Sequence, residues 1–388
     1  MQQSTWFTPE GLEDLLPEEA QKLEFYRRKL VDGFHLSGYS LVLPPIAEFT
    51  DSLLTGTARH MAVDTCRFTD QESGKMMGVR ADMTPQVARI VSNRLKASDR
   101  ISRLCYVGEV LKTRNNKAKG SRSPIQVGAE IFGHKGVQSD IEIVELMLDS
   151  MKNLNLDVKL SLGHVGIVDE LMSKAGLTSQ QSSLLIDILE RKAIPEYEVF
   201  VSGLNLDSAL QDVFTVLPHL CGDAKSVIEK AKTLISPLSE TCSSDVNQLE
   251  DMIKHLSELY PVHIHLDLSD IRGYQYHTGL IFAVYSTCGY LLPIAKGGRY
   301  DNIGSDFGLA IPATGFSLDL RATLDLLPNV TNSNAQTVYA PAKTSKALQD
   351  KVEQLKSKRI QVIKVYSDQE IPAGSQRLIE DSGHWKLV

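Results

Sequence analysis

The runs RLCYVGEVLKT (Arg103–Thr113) and SPIQVGAEIFG (Ser123–Gly133) decide the architecture of this chain. Both are rich in β-branched, aromatic and apolar residues, and the stretch between them, Arg114–Gly120, is polar and basic. They read as two antiparallel strands joined by a long loop, and a loop of that kind is where ligands are often held. Upstream, Leu23, Tyr26, Leu30 and Phe34 recur at three- and four-residue steps, which predicts a helix over Pro17–Leu36 that Gly38 stops. A strand Tyr39–Leu43 ends at Pro44-Pro45, and the turn Gln71–Gly74 joins short strands at Arg67–Thr69 and Met76–Arg80. Val87, Ile90, Val91 and Leu95 share one face of a predicted helix Thr84–Leu95, which Thr84 caps.

Beyond the strand pair, helix resumes at Ser139, where Ile141, Val144, Glu145, Leu148 and Met151 keep the helical period. Between His164 and Pro261 amphipathic stretches alternate with loop residues, as expected of an inserted, mostly helical domain. Strand character returns at Val262–Asp267, Tyr276–Tyr285 and Tyr290–Ile294, followed by a Gly304–Asp306 stretch rich in small polar residues and a helix Phe316–Leu327. Pro328 opens a linker, after which Thr337–Ala340, Ser345–Lys356 and Ile360–Val365 suggest a small β-α-β element. The expected domains are 1–163, the first segment of a core; 164–261, the insert; 262–327, the second segment; and 328–388, a short C-terminal element.

The chain has 388 residues, 42% hydrophobic and 23% charged, which suits a globular protein of two or three units and excludes disordered and fibrous classes. Lysine and arginine number 41 against 48 acids, so a net charge of −7 disfavours general nucleic-acid binding. The start lacks a basic flank with an apolar core, and no apolar run reaches a membrane span, so a cytoplasmic protein without membrane contact is expected. Five cysteines with no C-x-x-C spacing point to reduced thiols rather than disulfides or zinc.

Three clusters stand out. Arg89–Arg122 carries ten basic residues against Asp99 and Glu109 and suits either a phosphate or acidic partner, or a solvated face. KGGRYD (Lys296–Asp301) sets two glycines beside a guanidinium and a carboxylate, as a ligand-binding loop or a salt-bridged tight turn would. RGYQYHTG (Arg272–Gly279) is denser in polar and aromatic groups than a sheet segment needs. His263 and His265 alternate on one strand face, but no ligand motif accompanies them and no metal site is expected. Phosphate-binding, metalloprotease, serine-hydrolase and dinucleotide motifs are absent.

The order and spacing of GLEDLLP (Gly11–Pro17), VRADMT (Val79–Thr84), QVGAE (Gln126–Glu130), Arg272-Gly273 with Tyr276, GGRYD (Gly297–Asp301) and PATGF (Pro312–Phe316) resemble histidyl-tRNA synthetase over about residues 6–325. The resemblance implies an α+β fold: a class II aminoacyl-tRNA synthetase-like core, an antiparallel sheet flanked by helices, with an inserted helical domain and a short C-terminal α/β remnant. It also implies dimerisation through the first motif's helix and strand. Onto this sequence it carries a histidine pocket: Asp82 and Thr84 for the ammonium, Gln126 and Glu130 completing the pocket, Arg272 near the carboxylate and Tyr276 near the imidazole. His277, Tyr274 and Arg299 are possible further pocket residues.

The nucleotide motifs depart from that family. In GEVLKTR (Gly108–Arg114), Lys112 stands where the α-phosphate arginine is usual and Arg114 where an acid is usual; GFSLDLRA (Gly315–Ala322) ends in Ala322, where an arginine normally covers ATP. Lysine keeps the charge without the bidentate fork, and alanine contributes neither charge nor stacking. By the scale of one lost oxyanion donor, roughly 3–4 kcal/mol, adenylation should fail. The tail is also short for that family's anticodon-binding domain.

A synthetase core with its amino-acid pocket kept and its ATP motifs lost is similar to the regulatory subunits of ATP phosphoribosyltransferase, a family whose GFSLDLR and RGYQYHTG runs resemble those here. That similarity implies no catalytic residues of the chain's own and no cofactor or metal. It further implies a short-form catalytic subunit as partner in the first step of histidine biosynthesis, L-histidine as allosteric ligand, a self-dimer within a hetero-oligomer, and no tRNA. The alternatives are a divergent histidyl-tRNA synthetase in which Lys112 and Arg321 take over the missing roles, and a synthetase-like scaffold that does not bind histidine.

Overall fold

A computed structural model describes residues 7–55, 61–95, 101–114, 121–303, 308, 310–330, 336–366, 369 and 371–388. The loop tip 115–120, the small polar stretch 304–306, the linker residues 331–335 and the start 1–6 lie outside the described residues. The chain divides into two compact units, Met1–Pro328 and Asn329–Val388.

The first unit is organised on a sheet of nine strands: β1 (Ser40–Leu41), β2 (Ser102–Glu109), β3 (Ile125–Phe132), β4 (Val158–His164), β5 (Cys221–Asp223), β6 (His263–Asp267), β7 (Leu280–Ser286), β8 (Pro293–Arg299) and β9 (Ala313–Asp319). Their order is β1-β2-β3-β9-β8-β7-β4-β6-β5. From β2 through β4 every neighbour is antiparallel, but β1 pairs parallel to β2 and β4 parallel to β6. The sheet is therefore mixed rather than wholly antiparallel. Parallel neighbours need long crossovers, and here the segments 42–101 and 165–262 supply them.

Helix Pro17–Leu36 buries the predicted stripe Leu23, Tyr26, Leu30 and Phe34 against the sheet and against helix Val137–Asn153. Phe34 meets Phe316 of β9 edge-on at 6.0 Å between ring centres. Each large apolar side chain fully buried in this way contributes about 1.5–3 kcal/mol. The run 164–261, expected as an inserted domain, consists mainly of helices, lies within the first compact unit and lends the sheet its edge strand β5. Among the described residues no helix is long and apolar enough to cross a membrane.

Several elements differ from expectation. The strand expected over Tyr39–Leu43 pairs only at Ser40–Leu41, since Pro44 and Pro45 offer no N–H to extend the ladder. The helix from Thr84 is α-helical to Ile90 and passes into a π-turn over Val91–Leu95. Residues 273–277 form a turn closed by Tyr276 and His277 N–H groups donating to the Gly273 carbonyl (2.8 and 3.0 Å), with Gly273 at φ 73°, so β7 starts only at Leu280. The predicted helix Phe316–Leu327 is strand β9 to Asp319 and only then helical, at Leu320–Thr323. Phe316, Leu320, Leu324 and Leu327 satisfy the helical period, but Phe316 and Leu318 also satisfy the strand period, and pairing with β3 and β8 on both sides decides for the strand.

The second unit packs helix Lys346–Ser357 on a four-stranded sheet, with Val338, Ala340, Leu348, Leu355, Leu378 and Trp385 as its core. Thr337–Pro341 and Gln361–Val365 pair in parallel, and Gln376–Asp381 with His384–Leu387 adds a hairpin that the sequence reading did not include. Its turn uses Ser382 (φ 51°) and Gly383 (φ 81°), the left-handed pair that tight hairpins require.

Candidate functional site

Asp82 and Thr84 lie at the start of helix Thr84–Ile90, and Gln126 and Glu130 lie on one face of β3, four residues apart. The structure joins all four. Asp82 Oδ1 accepts the Thr84 N–H (2.9 Å) and Gln126 Nε2 (3.0 Å). Gln126 in turn accepts the Met83 N–H through Oε1 (2.9 Å) and donates to Ser317 Oγ on β9 (3.1 Å). No hydrogen bond among the described residues engages Asp82 Oδ2, which leaves one acidic oxygen for a ligand.

Glu130 is 1% exposed and accepts three hydroxyls: Thr84 Oγ1 (3.0 Å), Tyr106 Oη (2.9 Å) and Tyr300 Oη. Burial pushes its carboxyl up to about 8, although all three hydroxyls favour the charged form. Room for the carboxylate comes from glycine. A Cβ on Gly315, the residue paired with Glu130 across β9, would sit 1.5 Å from Glu130 Oε2. A Cβ on Gly128 would press on the Tyr106 ring and hydroxyl.

A cavity of about 360 Å³ opens over this network. Asp82, Thr84, Glu130 and Ser317 line it together with Lys296 and Tyr300, and the 272–277 turn supplies Arg272, Tyr276 and His277. Tyr276 stacks at 5.1 Å on Tyr300, and its hydroxyl is buried near Thr84 with no hydrogen-bond partner. His277 is pushed down to about 4 by burial and is neutral at physiological pH. Its Nδ1 is also buried and unpartnered. Arg272 stands at the rim, its Nε 2.9 Å from both Asp270 oxygens and its guanidinium hydrogen-bonded to Tyr285.

Two candidates lie elsewhere. Arg299 turns to the opposite side of β8, where it is buried between Asp140 (3.0 Å), Asp301 (3.1 Å), Ser139 (2.8 Å) and the carbonyls of His134 and Gly136. It is a structural tie, because alternation along the strand puts Lys296 and Arg299 on opposite faces. The KGGRYD run is therefore mostly strand, neither loop nor tight turn, with its glycines where β8 crowds β9: a Cβ on Gly297 would lie 2.0 Å from the Gly315 carbonyl. Tyr274 turns outward and bonds to Asp169 of helix Val165–Lys174.

The sequence reading missed Tyr106, Ser317 and the hydroxyl role of Tyr300. The available signal was the glycine spacing in QVGAE and PATGF, which marks where large polar side chains converge across strands.

The nucleotide motifs have other occupants. Arg321 donates to the Glu13 carbonyl (2.9 Å), and Arg122 donates through its main-chain N–H to the Gly11 carbonyl (2.7 Å) and through Nε to the Lys112 carbonyl (3.0 Å). The segment Pro9–Glu13 is thereby tied to both motifs.

With this geometry in view, the comparisons with known proteins are specific. The histidyl-tRNA synthetase family model matches residues 11–323. The ATP phosphoribosyltransferase regulatory subunit of Hydrogenovibrio crunogenus is 58% identical over 100% of this chain and 99% of its own length. The chain belongs to the family of ATP phosphoribosyltransferase regulatory subunits. That of Thioalkalivibrio sulfidiphilus is 44% identical over 92% of this chain and 90% of its own. Among solved structures, an ATP phosphoribosyltransferase regulatory subunit/histidyl-tRNA synthetase from Bacillus halodurans superposes with a TM-score of 0.81 at 24% identity, covering 96% of this chain and 95% of that one. A histidyl-tRNA synthetase from Nostoc sp. PCC 7120 gives 0.77 at 17% identity, covering 100% and 97%. These two establish the class II tRNA synthetase-like fold that regulatory subunits of this family share with the synthetases.

Proposed function

We propose that the chain is a non-catalytic, cytoplasmic subunit that activates a short-form ATP phosphoribosyltransferase catalytic subunit and makes it sensitive to histidine. One observation carries this reading: a cavity with a free Asp82 oxygen and a buried, unsatisfied Tyr276 hydroxyl sits beside a nucleotide motif whose Arg321 already donates to the Glu13 carbonyl. A volume of about 360 Å³ falls at the small end of the range for ligand sites and suits one amino acid.

Asp82 and Thr84 would meet the ammonium, Arg272 at the rim the carboxylate, and Tyr276 with Glu130 the imidazole, with Gln126 fixing Asp82. Each ligand group then finds a partner of complementary charge or hydrogen-bonding type. Feedback requires histidine to bind the less active state of the complex more tightly than the active one, since equal affinity would shift nothing. Self-association fits the exposed apolar strip Leu36, Leu41, Leu43 and Ile46 at the end of the first helix and around β1.

The test is reconstitution. Phosphoribosyl-ATP formation by a short-form catalytic subunit should rise on adding the chain and fall again on adding histidine. Histidine-dependent pyrophosphate exchange by the chain alone would instead establish the synthetase reading, and calorimetry showing no histidine binding would leave only a scaffold.

A further inference from the structure

The sheet face that carries the first cavity carries a second, larger one, of about 590 Å³. Ala283 of β7 lines the first, and Tyr285, two residues on and on the same face, lines the second. Arg272 borders both. The strand register builds the second cavity's floor: Tyr285 pairs with Lys159, which pairs with His263, and Ala283 pairs with Ser161, which pairs with His265. With strands about 4.8 Å apart, these two rows place an ammonium, two imidazoles and two hydroxyls within about 10 Å. Leu189 and Ile271 add apolar wall, and Lys192, Asp267, Asp270 and Glu190 complete the polar lining.

The hydrogen-bonding inventory is lopsided. Asp267 is saturated by Ser269 N–H (2.9 Å), Ser269 Oγ (2.8 Å) and Lys192 Nζ (2.9 Å). Asp270 is saturated by Arg272 through its main-chain N–H (3.0 Å) and Nε (2.9 Å). Glu190 is exposed, at the last turn of helix Ser179–Glu190. The donors, by contrast, are unspent: the side chains of Lys159, Ser161, His263 and His265 make no hydrogen bond or ion pair among the described residues. Ser161 is only 9% exposed and lines the cavity, where its hydroxyl has no partner among the described residues. With Asp267 and Asp270 satisfied and Glu190 exposed to solvent, the free donors of the floor call for a ligand rich in acceptor oxygens. Among the described residues no group of three His, Cys, Asp or Glu side chains is placed to hold a metal ion.

We propose that this second cavity is a separate binding site for a phosphorylated small metabolite, with Lys159, His263, His265 and Ser161 holding the phosphate and the wall of Leu189 and Ile271 facing the rest of the molecule. The volume is too large for a bare phosphate and suits a sugar phosphate or mononucleotide. The site does not depend on histidine binding in the first cavity.

The test is calorimetric titration of the full chain with ribose 5-phosphate, with ribose and inorganic phosphate as comparison arms. Ribose 5-phosphate should bind with a Kd below ~1 mM, inorganic phosphate at least as weakly, and ribose at least tenfold more weakly than the ester, tenfold being about 1.4 kcal/mol. Lys159→Gln and His265→Gln should each weaken the ester about tenfold or more, the scale of a lost hydrogen bond to a charged group, whereas Asp82→Ala should leave it unchanged. Lys159 is solvent-exposed, so its variant keeps the fold, which a thermal melt checks. Absence of binding at ~10 mM ester, equal binding of ribose, or binding that both variants leave intact would each overturn the assignment.

Discussion

Gly315→Ala is the sharpest probe of how the first cavity is built. The added methyl carbon would lie 1.5 Å from Glu130 Oε2, 2.4 Å from its carboxyl carbon and 2.8 Å from the Ala129 carbonyl oxygen, where ordinary contact begins at 3.4 Å. The backbone of β9 is held by pairing on both sides, so the carboxylate must retreat by about 2 Å. It cannot do so and keep its bonds to Thr84 and Tyr106 at 3.0 and 2.9 Å and to Tyr300. Losing one or two buried hydrogen bonds, each leaving a polar group unsatisfied at about 1–3 kcal/mol, sets an expected destabilisation of about 2–4 kcal/mol. Histidine affinity should fall more than tenfold, because Thr84 and the two tyrosines shift with Glu130. Urea unfolding and calorimetry with histidine measure the two effects. Gly203→Ala is the control: its methyl would meet nothing nearer than 3.4 Å, and the change should stay within about 0.5 kcal/mol. A Gly315→Ala protein as stable as the parent and binding histidine equally well would refute the proposed packing of Glu130 against β9.

Other outcomes follow from the same network. Arg299→Met should destabilise the fold by about 3–5 kcal/mol in equilibrium unfolding, because it leaves Asp140 buried and unpaired on the far side of β8. Thr84→Val should cost about 1–2 kcal/mol through the lost hydroxyl between Glu130 and Tyr106, and histidine titration should show weaker binding. Glu130, raised from 4.5 to about 8, keeps a proton in the folded state that the unfolded chain has released, so it makes stability fall as pH rises between those values. His164 and His277, lowered from 6.5 to about 4, act in the opposite sense between those two values. The interval from about 6.5 to 8 therefore isolates Glu130: stability should decline there, and Glu130→Gln should flatten that decline in pH-dependent urea melts.

Local pattern reaches only as far as a single unambiguous period. Helix Pro17–Leu36 and the strand pair β2–β3 were legible because each obeys one period and one only. Strand β9 was not, because Phe316–Leu327 satisfies two periods and the choice lies with β3 and β8, and the turn at 273–277 was not, because it is closed by main-chain bonds to Gly273 that no apolar period announces. The hairpin Gln376–Leu387 was hidden for a related reason: with Leu378 and Trp385 as its only buried side chains, it shows too little apolar alternation to announce itself.

For the site the division is similar. The sequence by itself determined the chemical inventory: Asp82, Thr84, Gln126, Glu130, Arg272 and Tyr276 as candidate ligand partners, and a lysine and an alanine where the synthetases it resembles carry arginines. Those are matters of residue type, which no packing changes. Only the tertiary structure decided which groups converge. It brought Tyr106, Tyr300 and Ser317 to Glu130 and Gln126, turned Arg299 and Tyr274 away, closed the segment Pro9–Glu13 over Arg122 and Arg321, and left a row of free donors at Lys159 and His263. Convergence of this kind depends on strand register and on glycines that let backbones approach, and both are set by pairings between segments far apart in sequence.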